Sequence, residues 1–179
     1  MNKKFVFSAM AVLALFSQGC LVGHKISYEI IPDKAGKGTA RVTYTDIRSD
    51  AQNQKDFEED KSNLFDYMHK SQQFLSDMKK EGKNIVSREL FVDNGRLVGS
   101  AVYKFDKISD VENLTYDDGF YFITLALDDS VLATNGEIIK SDKYKRILWG
   151  DNIDTLKFQI LTEPSDGSPL KDLAAEYKK

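Results

Sequence analysis

The sequence predicts an α+β fold, a mainly antiparallel β-sheet with one long amphipathic helix packed on one face. Three observations point there. Apolar and polar residues alternate along 25–45 and 84–106, which is the period of half-buried strands. Between these stretches Phe57, Leu64, Met68, Ser71, Leu75 and Met78 recur at helical spacing. After residue 106 the chain returns to short β-rich runs separated by turn residues.

Taking the elements in order, Ile26, Tyr28 and Ile30 share one face, and Ala40, Val42 and Tyr44 share another. The glycine-containing segment 32–38 between them reads as the loop of an antiparallel hairpin. Ser49 or Asp50 is then placed to cap a helix whose first turns carry Asp56, Glu58, Glu59 and Asp60, where negative charge suits the helix dipole. With Phe65 and Phe74 widening its apolar stripe, that helix is expected to run about eight turns to Gly82. Asn94-Gly95 marks a tight hairpin turn. Pairing outward from it sets Val92, Leu90 and Val86 beside Leu97, Ala101 and Tyr103, and Arg88 on that face implies an open edge.

Ile108 to Leu114 reads as a short helix or turn, and Phe120 to Leu127, apolar on both faces, as a central strand covered on each side. Strands are also expected at 130–134, 137–140, 145–149 and 155–162, with Asn135-Gly136 as another tight turn. Leu170 to Tyr177 reads as a short terminal helix.

The 179 residues hold 28 acidic and 25 basic side chains, for a formal charge of −3. That balance argues against nucleic acid as a partner, which needs clustered Lys and Arg. Two histidines, His24 and His69, stand apart from any Cys or carboxylate spacing that would bind zinc, so no metal and no cofactor is expected. Glu58-Glu59-Asp60, Asp117-Asp118 and Asp128-Asp129 are adjacent acids rather than the alternating ligands of a calcium loop, and read as solvated turns. No Gly-x-Ser-x-Gly elbow presents a serine nucleophile. Trp149, the one tryptophan, is flanked by turn residues; with Tyr121 and Tyr144 it is the ligand-binding candidate, weighed against service as a core plug.

Cys20 is the one cysteine, and it follows Lys3-Lys4, the apolar run Phe5 to Phe16, and Ser17-Gln18-Gly19. A charged start, an apolar stretch shorter than the ~20 residues a membrane-spanning helix needs, and small residues ahead of the cysteine make the layout of a secretory signal. It resembles the signal peptide of bacterial lipoproteins with a loose lipobox. The resemblance implies cleavage after residue 19 and acylation of Cys20 with chains such as palmitate. The implied organisation is a signal peptide at 1–19, a lipidated cysteine and short tether at 20–24, and a single α+β domain over 25–179.

The order of a strand pair, a long helix and a β-rich half also resembles the layout of LppM-type lipoproteins, without the C-terminal membrane anchor common among them. No functional residue is carried over from that likeness. The expected localisation is a membrane in the cell envelope, reached through acylated Cys20; in a diderm cell, Leu21 after the cysteine implies the outer membrane or its periplasmic face. The function expected is non-enzymatic: binding of an envelope protein or an apolar ligand, or a role in envelope assembly. A lipid-anchored hydrolase with dispersed carboxylates is the alternative.

Overall fold

The period-two segments fold as two sheets. A computed structural model describes residues 21–162 and 169–178. Its elements in chain order are β1 (Leu21–Pro32), β2 (Gly38–Ser49), α1 (Gln54–Ser62), a π-helical turn (Asn63–Met68), α2 (Gln72–Lys80), β3 (Lys83–Asp93) and β4 (Arg96–Phe105). A 3₁₀ turn (Ile108–Asp110) then leads to β5 (Thr115–Asp117), β6 (Phe120–Leu125), β7 (Ser130–Thr134), β8 (Glu137–Lys140), β9 (Lys145–Gly150), β10 (Leu156–Leu161) and β11 (Lys171–Asp172).

The larger sheet runs β3-β4-β2-β1-β10-β7, with β11 added beside the end of β2; the smaller runs β5-β6-β9-β8. All described pairings are antiparallel. The β1–β2 hairpin and the β3–β4 hairpin follow the alternation of the sequence. At the second, Asn94 and Gly95 take φ of 49° and 75°, as a type I′ turn requires.

Both covering layers lie on one face of the larger sheet. Over β1, β2 and β10, side chains Tyr28, Ile30, Leu156 and Phe158 pack against Tyr121, Ile123, Ile147 and Trp149 of the smaller sheet. Over β4 and the end of β2, Ile47, Leu90 and Leu97 pack against Phe57 and Leu64 of the helical layer. The opposite face is a polar ladder open to solvent, in which Lys157 reaches Glu29 at 2.9 Å, Gln159 reaches Ser27 at 2.7 Å, and Thr43 and Ser100 lie 3.4 Å apart.

Several expectations are corrected. The one long amphipathic helix is two short ones, of about 15 and 9 residues, in a chain that is mostly strand. The break falls at Ser71, the one polar member of the expected stripe. Its backbone is extended (φ −69°, ψ 137°) and its hydroxyl accepts from the amide of Gln73, so it caps α2 rather than continuing a helix. The first helix starts from Asn53, not from Ser49 or Asp50. In β3 a bulge at Val86 places Ile85, not Val86, opposite Tyr103, and leaves Val86 exposed.

β6 is covered on one face alone: Tyr121 and Ile123 are buried against the larger sheet, while Phe120 is exposed. Asn135-Gly136 adopts no positive φ, and it carries the chain from β7 in one sheet to β8 in the other instead of closing a hairpin. The terminal helix is replaced by the two-residue strand β11 and turns. Residues 21–24, read as a tether, belong to β1: Leu21 pairs with Ser49 and is buried.

Candidate functional site

Where the helical layer crosses the larger sheet, the floor carries small residues. Gly99 and Ala101 of β4 sit between Tyr44, Tyr103 and Ile85, and the roof above them is Leu64, Met68, Phe74 and Met78. Ile47 and Leu90 close over Gly99, where an added β-carbon would lie 3.0 Å from the Ile47 Cδ1, and a cavity of about 120 Å³ remains beside them. The alternation of β1, β2 and β4 directs Tyr28, Tyr44 and Tyr103 toward it, since Tyr28 pairs with Val42 and Ala40 with Tyr103 on the same face.

Arg88 of β3 holds the roof. Its guanidinium donates to the carbonyl of Met68 at 2.8 Å and to that of Ser71 at 3.0 Å, capping the last turn before the helix break, while it stacks 5.6 Å from the Phe74 ring. An arginine expected to mark an open sheet edge lies on the edge strand and also donates to the carbonyls on both sides of the helix break, that of Met68 and that of Ser71, the N-cap of α2. His69 and Glu89 line the rim. Burial, with Arg88 and Lys70 adding to it, lowers the His69 pKa below its ordinary value and favours the neutral ring.

At the other end the cavity is polar. Lys83 opens β3 with only 5% of its surface exposed, its ammonium 6.0 Å from the centre of the Tyr103 ring. Burial pushes its pKa down, opposed by Glu112, Glu81 and Asp110. Its ammonium is not among the buried side-chain atoms left without a partner, so it keeps contact with solvent. Glu112 enters from the loop before β5. Burial pushes its carboxyl up, against the opposing pull of Lys83 and of a hydrogen bond donated by Tyr28. The Tyr28 and Tyr44 hydroxyls are joined in turn, and burial raises the pKa of Tyr28, Tyr44 and Tyr103.

The loop that delivers Glu112 is strained. Glu112 and Asn113 are consecutive left-handed residues, at φ 52° and 56°, between Val111 and Leu114, both fully buried. With two apolar anchors fixed in the core, the pair between them must take backbone angles that cost roughly 1–3 kcal/mol per residue. Such a cost is borne where surrounding structure dictates it, and here it directs a carboxyl inward beside a buried lysine.

The residues singled out from the sequence lie elsewhere. Cys20 falls outside the described residues. Tyr121 and Trp149 face each other across β6 and β9, both buried against the larger sheet. The indole lies 5.9 Å from the Phe158 ring and donates to Asn135 at 2.9 Å. Tyr144 precedes β9, with the Arg146 guanidinium 4.4 Å from its ring. None of the three lines the cavity. Lys83 and Glu112 were missed, and the usable signal was faint: a lysine at the head of a strand after Gly82, and an acid between two apolar anchors.

Among the described residues, no group of three or more His, Cys, Asp or Glu is placed to hold a metal ion, and no helix is long and apolar enough to cross a membrane. The arrangement is suited to holding an apolar group near Lys83, Arg88, Glu89 and Glu112, which all line the cavity. No family model, curated protein or solved structure matches the chain.

Proposed function

We propose that the protein is a membrane-anchored lipoprotein of the cell envelope with a non-enzymatic binding role, and that its ligand enters the cavity between the helical layer and the larger sheet. The observation that carries this reading is the cavity itself, lined mostly by apolar side chains with Lys83 and Glu112 among its polar ones. The space of about 120 Å³ opens to the surface between the helical layer and the sheet, and its apolar lining with a few polar groups is the form that small-molecule sites commonly take. The anchoring half of the reading rests on Cys20 and the signal-like segment before it. With β1 starting at Leu21, an acylated Cys20 would hold the sheet close against the bilayer. No specific feature favours the hydrolase alternative.

The test has two parts. Intact-mass measurement of the protein from host membranes should show acyl chains that disappear in Cys20→Ala. Native mass spectrometry of the same preparation should show a small co-purified molecule, lost when Ala101→Leu fills the cavity. Unacylated protein would end the anchoring claim; a protein that never carries or takes up an apolar molecule would end the binding claim.

A further inference from the structure

The register of the larger sheet shows which surfaces share an end with Cys20. Cys20 directly precedes Leu21, which is buried and paired with Ser49, so an acyl chain on Cys20 would join the sheet with no tether between them. A single row of paired residues crosses this sheet from β3 to β7: Phe91, Val98, Thr45, Lys25, Leu161 and Ser130. Leu21, the Asn94-Gly95 turn and the loop before β7 all lie on one side of that row. With neighbouring strands about 4.8 Å apart, the turn stands ~14 Å from β1 on one flank and the loop ~10 Å from it on the other. Sheet twist rotates the outer strands without carrying their ends across the row.

Each flank carries exposed apolar side chains. Val92 beside the turn is 43% exposed and Phe91 37%, and Leu127 in the loop is 39% exposed. Phe120, 44% exposed, lies at the opposite end. It pairs with Gly150 at the finish of β9, whereas Lys145 at the start of β9 donates to the carbonyl of Asp129 in the Leu127 loop. The neighbouring charges are of both signs, Asp93 and Arg96 at the turn and Asp128 beside Leu127, so the contact these flanks offer is apolar and needs no anionic surface. One aliphatic side chain does not hold a protein on a bilayer. Once an anchor holds it there, the further contact is intramolecular and its effective concentration is high.

We propose that the anchored protein stands on the bilayer with Val92 and Leu127 in the lipid interface on either side of the acylated cysteine, and with Phe120 held away in water. This inference rests on the reading of Cys20 as acylated, and the experiment separates the two.

Protein isolated from host membranes is reconstituted in phosphatidylcholine vesicles with or without bromine on the acyl chains, which quenches tryptophan close to it. Val92→Trp, Leu127→Trp and Phe120→Trp each add one indole to the enclosed Trp149, and the three positions are similarly exposed, so the new ring favours no one of them. Brominated lipid should dim Val92→Trp and Leu127→Trp, with no loss in Phe120→Trp beyond that of the unaltered protein. If the protein floats with the vesicles and neither flank dims, or only one does, the anchor stands and the inference fails alone. Equal dimming of all three variants also overturns it, because the bilayer then meets no particular end. Protein that carries no acyl chain and does not float with the vesicles ends the anchoring reading and the inference together.

Discussion

The guanidinium of Arg88 lies 2.8 Å from the carbonyl of Met68, a residue twenty positions earlier on the other side of the helix break. Together with its 3.0 Å bond to Ser71, this contact ties the edge strand β3 to the turn between the helices and fixes the roof above the cavity. Arg88→Met keeps an apolar stem against Phe74 but removes the donors. Loss of charge-assisted bonds of this kind should destabilise the fold by about 2–3 kcal/mol in urea denaturation, with faster amide exchange concentrated at residues 69–73. Unchanged exchange there would show that the roof needs no clasp.

Trp149 and Gly136 form a second relationship that separates plug from ligand platform. A β-carbon on Gly136 would lie 2.6 Å from the indole nitrogen and 2.7 Å from the Leu148 carbonyl. Gly136→Ala should therefore destabilise by about 1–3 kcal/mol through overpacking, and Trp149→Ala by about 3–5 kcal/mol through the cavity it leaves. Tyr144→Ala, which removes a half-exposed ring from Arg146, should change stability by under about 1 kcal/mol. A tolerant Trp149 with intact stability would return it to the list of ligand contacts.

Ser49 donates to Asp60 at 2.6 Å while its oxygen accepts from the amide of Ala51, which joins the end of β2 to α1 through two buried polar side chains. Ser49→Ala removes both bonds and leaves a buried carboxylate with one donor fewer. The expected loss is about 1–3 kcal/mol in equilibrium unfolding.

Two acids respond to pH with opposite sign. Bonds from Lys80, Gln73 and Tyr67 lower the Asp77 carboxyl from 3.8 to about 2. Because the folded value is the lower one, its contribution is present above pH 3.8 and is lost as pH falls toward 2. Glu112 is raised above 4.5 by burial, so the folded state holds its proton more tightly, and stability declines as pH rises from 4.5 through the folded value. Asp77→Asn should flatten the acid limb of a stability profile. Glu112→Gln should instead make the protein more stable at neutral pH, and a parallel loss in both variants would contradict these assignments.

The strands β1 to β4 and their two hairpins were legible because their causes are local. Side-chain period two and the positive φ of Asn94-Gly95 act within a few residues. The helix was legible as helical content but not as two pieces, although Ser71 in the apolar stripe was the visible clue. Continuous helix and capped break are close in local preference, and the carbonyl bonds of Arg88 favour the break from another element.

What the sequence by itself determined is the strands β1 to β4 with their two hairpin turns, the positions of most later strands, the acidic balance, and the signal-like approach to Cys20. Tertiary structure alone decided that helices and the smaller sheet share one face of the larger sheet, and that Phe120 faces solvent while Trp149 is enclosed. It alone brought Lys83 and Glu112 to one end of a cavity. The physical reason is range: backbone propensity is settled among neighbours in the chain, whereas burial and the fields between charges depend on which distant segments the fold lays against each other.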